Sequence, residues 1–221
     1  MTNGQGAAPT PFQLLLIVSA TLAAAPADAP LFEDSFQEAR LASGWSWVRE
    51  DKPAWRLADG ALQVRRLPGN LWEKDNTAKN LLLRAPPKGT DTFTAEVTVS
   101  HVPTTFGDQA GLLWYRDDDN YVKLVKEWYD GRTWAVFAVE RDGKSEYKEA
   151  DCRAEWVTFR LTVNGDKVSA AFRPVGGTDW KTFEPFSFPS KDARVGLTAH
   201  HGPAEKDLWA SFTDFRITRA K

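Results

Sequence analysis

The chain has 221 residues, 42% of them hydrophobic and 26% charged, with a formal net charge of −2. That length and mixture suit one globular domain, and the near-neutral balance excludes the basic patches interleaved with aromatics that nucleic-acid binding requires. The single cysteine, Cys152, excludes an intrachain disulfide, and a chain of this size buries a sufficient core without one.

The first recognisable element is an apolar run, FQLLLIVSATLAAA over residues 12–25, followed by PADAP. It is too short for a comfortable membrane span and ends in small-residue cleavage sites, so residues 1–29 are expected to be a secretory signal peptide or apolar leader. No Lys or Arg precedes the run, the first basic residue being Arg40. The pattern predicts a secreted or periplasmic protein whose domain spans residues 30–221, with no membrane contact after leader cleavage.

Beyond the leader, strand and turn alternate. Residues 33–42 are the one stretch with any helical period, and it is weak. Asp59-Gly60 joins residues 55–57 to 62–64 as a hairpin. Trp72 follows Pro68-Gly69-Asn70 and stands beside Glu73, Lys74 and Asp75, a large aromatic in a polar loop. Residues 93–100 alternate cleanly, with Phe93, Ala95, Val97 and Val99 on one face and Thr94, Glu96, Thr98 and Ser100 on the other.

Residues 110–116 and 121–128 are the next two strands, connected by Asp117-Asp118-Asp119-Asn120, a composition suited to a turn. Asp130-Gly131 and Asp142-Gly143 then mark two more hairpins, extending the ladder through residues 134–141 and 144–149 into a four-strand meander. Val157, Phe159, Leu161 and Val163 form an inward set before Asn164-Gly165, and Val168, Ala170 and Phe172 return. A closing strand over residues 208–218 is expected beside the first strand near residues 31–36. Strands at this spacing predict an all-β fold of two packed antiparallel sheets.

The phrases NLLLRAP at residues 80–86, FTAEVTV at 93–99, GDQAGLLWYRDDDNYVKLVKE at 107–127 and VGLTA…ASFTDFRI at 195–217 resemble the concanavalin A-like jelly roll. They are similar in particular to the C-terminal domain of bacterial β-xylosidases and to the yeast "regulation of enolase" protein family. The likeness covers most of residues 31–218. It implies a two-sheet antiparallel jelly-roll sandwich of the lectin or glucanase type, with one concave face. In the xylosidases the module is an accessory to a separate catalytic propeller, and for free-standing relatives the resemblance supplies no activity.

Jelly-roll glucanases resemble one another in carrying Glu-x-Asp-x-Glu on one strand, where a period of two puts all three carboxylates on one face. That spacing is absent here, which argues against a hydrolase. The aromatics point elsewhere, because a sugar ring stacks its C–H face on an indole while placed polar groups bond its hydroxyls. The expected groove is lined by Trp72, Trp114, Tyr121, Lys123, Glu127 and Trp134, with His200 at its rim. His101, His200 and His201 lack ligand spacing and are read as surface or loop histidines.

The Asp117–Asp119 run has Tyr121 where a calcium loop needs glycine, so a solvated turn is expected. No cofactor is expected; a structural calcium, as in similar sandwiches, would sit near Glu33, Asp34 and Asp214. Three functions remain open: a non-catalytic module binding a polysaccharide or oligosaccharide, a glycoside hydrolase or lyase using Glu127 and Glu73, and a structural or protein-interaction sandwich.

Overall fold

The computed structural model describes Met1 and residues 29–220, so the apolar leader at residues 12–25 lies outside the described residues. The chain folds into two antiparallel sheets packed face to face. The back sheet runs, in spatial order, β15 (Lys181–Ser187), β14 (Lys167–Pro174), β13 (Trp156–Asn164), β8 (Thr92–Ser100), β17 (Trp209–Arg219), β4 (Ala61–Arg65) and β3 (Trp55–Ala58), with β1 (Phe32–Asp34) added on β17. The front sheet runs β12 (Lys144–Asp151), β11 (Arg132–Arg141), β10 (Asn120–Tyr129), β9 (Gln109–Asp117), β16 (Arg194–His200), β7 (Leu81–Arg84) and β2 (Trp45–Val48). A small hairpin of β5 (Leu71–Trp72) and β6 (Asp75–Asn76) lies outside both.

The expected elements fall into place. The closing strand pairs beside the first, with Phe32 opposite Ile217. Asp59-Gly60, Asp130-Gly131 and Asp142-Gly143 all adopt positive φ at both positions, the two-residue turn whose twist matches the flanking strands. The Asn164 hairpin differs by one residue: Asn164 pairs with Lys167, so Gly165 and Asp166 are the central residues, and only Gly165 has positive φ. Residues 33–42 form no helix. Asp34 prevents one by accepting hydrogen bonds from the Phe36 and Ala42 N–H groups at 3.0 and 2.9 Å and from Trp45 Nε1 at 2.9 Å, which holds an irregular loop instead.

The core lies between the sheets. Phe93, Ala95, Val97 and Val99 of β8 and Val157, Phe159, Leu161 and Val163 of β13 meet Leu112, Val122, Leu124 and Phe137 from the front. The outward residues of β8 are also organised. Glu96 is clasped by Arg160 and Arg216, and Thr94 and Thr98 bond Thr162 and Thr158 across the strands at 3.1 Å.

The three aspartates resolve into a structural turn. Asp117 Oδ1 accepts from the Asp119 N–H and from Asn120 Nδ2. Asp118 takes a two-pronged bond from Arg49 at 2.7 and 2.9 Å and one from the Tyr115 hydroxyl at 2.8 Å, while Asp119 accepts from Asn76. The run thus staples strands β9 and β10 to the segment around residues 49–80.

At the expected calcium position, Asp34 already receives three donors, Glu33 lies across from Arg216, and Asp214 is exposed. Among the described residues, no group of three or more His, Cys, Asp or Glu side chains is placed to hold a metal ion. Two outcomes are expected. Asp34→Ala, which strands three donors, lowers stability by about 2–4 kcal/mol in urea unfolding. Calcium and EDTA leave the melting temperature of the unmodified protein unchanged.

Candidate functional site

On β10 the side chains of Tyr121, Lys123, Val125, Glu127 and Tyr129 point away from the core, while Val122 and Leu124 point into it. The adjoining outward residues are Gln109, Leu113 and Tyr115 on β9, Trp134, Val136, Ala138 and Glu140 on β11, and Tyr147 on β12. This outer face divides into two parts. Toward β16 and β7 it is covered: Leu71 and Ala78 pack on Leu81, Leu83, Leu113, Tyr115 and Tyr121 as a second apolar cluster. Toward β11 and β12 it is open, forming a cavity of about 220 Å³.

Asn70, Trp72, Phe106, Gly107, Gln109, Lys123, Glu127, Tyr129, Val136, Tyr147 and His201 line the cavity. Val136 is its apolar floor, and Trp72 and Tyr147 meet edge to face, centroids 6.2 Å apart. Phe106 and Tyr147 stand 68% and 53% exposed at its rim. Gln109 and Glu127 lie directly opposite each other on β9 and β10. His201, turned by a φ of 60° just past β16, sits against Gly107, where a Cβ would come within 2.5 Å of its Nδ1.

Burial sets the electrostatics. Lys123 is 1% exposed; its Nζ donates to the Leu71 carbonyl at 3.3 Å and lies 4.7 Å from the Trp72 ring centroid. Loss of water pulls its pKa below the ordinary lysine range, against the pull of Glu127 and Glu140. Burial likewise raises the Glu127 carboxyl, opposed by Lys123 and reinforced by Asp108. No ion pair joins Lys123 to Glu127 among the described residues. His201 is held toward its neutral form by partial burial.

The wall bearing Phe106 is fixed by a buried charge cluster. Arg66 pairs with Asp108, whose Oδ2 also accepts the Thr104 N–H at 2.9 Å, and Lys126 donates to the carbonyls of His101 and Ala154. Burial outweighs Arg66 and raises the Asp108 carboxyl, and it lowers Lys126 and His101. Cys152 belongs to the core, its thiol pushed up to about 11 by burial, which leaves it a poor nucleophile.

Of the residues singled out in the sequence, Trp72, Lys123 and Glu127 line the cavity and Trp134 adjoins it, stacked on Tyr129 at 5.8 Å. Tyr121 lies beneath the hairpin rather than in a groove, its hydroxyl 2.6 Å from the Leu71 carbonyl and 2.7 Å from Glu140 Oε2. Trp114 is a correction. It is 2% exposed between the sheets, edge-on to Phe93, with Nε1 bonded to Ser190. Both faces of β9 are covered, so the run GLLWY lost the alternation that would have shown which way the indole points.

His200 is a second correction. It is fully buried, bonded to Thr198 at 2.8 Å, with its backbone bridged in parallel by Leu67; its neighbour His201 reaches the cavity instead. His101 is also buried, not on the surface. Sequence reasoning missed Gln109, Phe106, Tyr129, Tyr147 and His201. Tyr129 was detectable, two residues beyond Glu127 on the same strand face. Phe106 and Tyr147 required knowing which loop and which edge strand frame the opening.

Comparison with known proteins gives a consistent architecture. The family described as "Protein of unknown function (DUF1349)" matches residues 68–220. A search of curated proteins found no match. Among solved structures, the fold is similar to the GH43 BlXynB protein from Bacillus licheniformis, with 22% identity and a TM-score of 0.76 over 85% of this chain and 39% of that one. It is similar to the xylan beta-1,4-xylosidase from Bacillus halodurans C-125, with 17% identity and a TM-score of 0.73 over 92% of this chain and 41% of that one. A functionally unknown protein from Saccharomyces cerevisiae matches along 98% of its length and 81% of this chain, with 19% identity and a TM-score of 0.65. The chain therefore spans about two-fifths of the two bacterial proteins, and at these identities the likeness establishes the sandwich fold.

A charge test follows for Glu127. A carboxyl raised in the folded state costs stability above its ordinary value of 4.5 and none well below it. Glu127→Gln is expected to raise the urea midpoint at neutral pH, with the gain vanishing as the pH falls below about 4.5.

Proposed function

Taking as premise that the chain belongs to the family described as "Protein of unknown function (DUF1349)", we propose that it is a non-catalytic carbohydrate-binding module whose cavity takes a single sugar ring. One observation carries this reading: unpartnered polar atoms are set among aromatic walls. Gln109 is 2% exposed, yet its Oε1 has no hydrogen-bond partner, and His201 Nδ1 is likewise without one. Glu127 accepts no side-chain or backbone hydrogen bond among the described residues, and Lys123 uses one of its three donors. Buried polar groups are ordinarily satisfied, so the free Gln109 and His201 atoms, with the half-buried Glu127 carboxylate and the spare Lys123 donors beside them, suit a ligand carrying both donors and acceptors.

Hydroxyl groups supply both. Trp72, Tyr129, Tyr147 and Phe106 offer faces and edges for the apolar side of a ring, with Val136 beneath. The size agrees, since a cavity of about 150 Å³ accommodates benzene and this one is somewhat larger. Two similar structures carry xylosidase or GH43 names, which fits an accessory role toward plant cell-wall glycans. Export through the apolar leader would place the module where such glycans occur.

The hydrolase alternative needs two carboxyl groups flanking a glycosidic bond. Glu127 is the one carboxylate among the lining residues. Glu73 is engaged elsewhere, its carboxylate accepting from Ser145 at 2.9 Å.

Titrating tryptophan fluorescence with xylo-, arabino- and β-gluco-oligosaccharides is expected to give a saturable shift with at least one series. Trp72→Ala should weaken binding by about tenfold or more, whereas Trp114→Phe costs stability but retains affinity. Reducing-sugar release that disappears in Glu127→Gln would replace this reading with the hydrolase. The absence of both signals would leave a protein-interaction sandwich.

A further inference from the structure

The walls of the cavity bear on which part of a glycan fits it. On the β16 side the sheet face is filled: Leu71 and Ala78 belong to the second apolar cluster, and Thr198 and His200 are buried. Toward the Asp117 turn, Trp72 and Glu73 close the way. The Glu73 N–H donates to Glu140 Oε2 at 2.7 Å and its carboxylate reaches Ser145 on β12, so the hairpin spans the sheet at that end.

At the opposite end the loop bearing Phe106 and Gly107 stands as a third wall. The Gly107 N–H is bonded to the Trp128 carbonyl at 2.9 Å, and the Trp128 N–H to the Asp108 carbonyl at 3.4 Å. The fourth side, toward the edge strand β12, is framed by Tyr147, which meets Trp72 edge to face, and by Tyr129, whose hydroxyl donates to Glu149, so the cavity opens outward past the exposed rings of Phe106 and Tyr147.

An interior ring of a linear glycan is linked at two places and needs two exits. This cavity is walled around its sides and has one mouth, facing outward between Phe106 and Tyr147. We infer that the pocket captures the terminal ring of a glycan chain and excludes interior rings, an inference that rests on the carbohydrate reading proposed above. The polar groups agree with a chain end. Lys123 and Glu127 lie four residues apart on one strand face, about 13 Å between Cα atoms. The ammonium marks one end of the cavity, and Glu127 with Gln109 Oε1 marks the other. A terminal ring has free hydroxyls on the side away from its single linkage to meet these groups, while the penultimate ring leaves across Tyr147.

The test uses the full chain with whichever oligosaccharide series gives a saturable response, from monosaccharide to hexasaccharide. It adds the parent polysaccharide before and after limited endo-hydrolysis at constant mass. Affinity should stay within about threefold from disaccharide to hexasaccharide, and protein bound per mass of polysaccharide should rise with the number of chain ends. Tyr147→Ala, at an exposed position that folding tolerates, should remove the advantage of disaccharide over monosaccharide.

Affinity that climbs through the hexasaccharide, or polysaccharide capacity indifferent to chain ends, overturns end recognition while leaving carbohydrate binding intact. A lack of response from every series overturns the carbohydrate reading and this inference together.

Discussion

Leu71 joins the fold to its cavity through two different parts of one residue. Its side chain completes the apolar cluster over Leu81, Leu83, Leu113 and Tyr121, and its carbonyl lies within hydrogen-bond reach of the Tyr121 hydroxyl and the Lys123 ammonium. The apolar contact holds a short two-stranded hairpin, unstable alone, on the front sheet. The carbonyl gives a buried cation its sole hydrogen-bond acceptor among the described residues. Without this seat the outer face would be a broad open surface; with it, half is core and half is a pocket.

Water exclusion shapes the chemistry of what remains open. Lys123 and Glu127 are displaced toward their neutral forms by burial, and neither is relieved by a direct ion pair. Behind them, Arg66, Asp108 and Lys126 are buried with their charges matched or bonded to carbonyls, which stiffens the loop that bears Phe106. The contrast is informative. The charges behind the Phe106 wall are paired with one another or bonded to carbonyls, and the cavity charges largely lack such partners. Unpaired polarity in a formed pocket is the feature a ligand with hydroxyls answers.

The acidic run at residues 117–119 shows the same economy of polar groups in a structural setting. Each carboxylate has a named donor, from the backbone, Arg49, Tyr115, Asn120 or Asn76, and the run pins the meander to the segment that supports the hairpin. An arrangement that the sequence marks as a solvated turn is also a brace, because two of the residues that satisfy it, Arg49 and Asn76, lie forty or more residues away in sequence. The similar bacterial structures share the sandwich over about two-fifths of their length, and the cavity has to be argued from its own side chains.

Period-two patterning and Asp-Gly turns were enough to specify two antiparallel sheets, the four-strand meander and the pairing of the chain ends, since strand alternation and positive-φ turns are local properties. They also put Tyr121, Lys123 and Glu127 on one face. What covers a strand is not local. The direction of Trp114 was lost because both sides of β9 are buried, and His200 is buried where the sequence-distant Leu67 pairs beside its backbone. The split of the sheet face into plug and pocket, and the recruitment of Gln109, Phe106, Tyr147 and His201 to it, came from contacts between segments far apart in the chain. Only the tertiary structure could decide them, because burial is a property of neighbours in space and not of order in sequence.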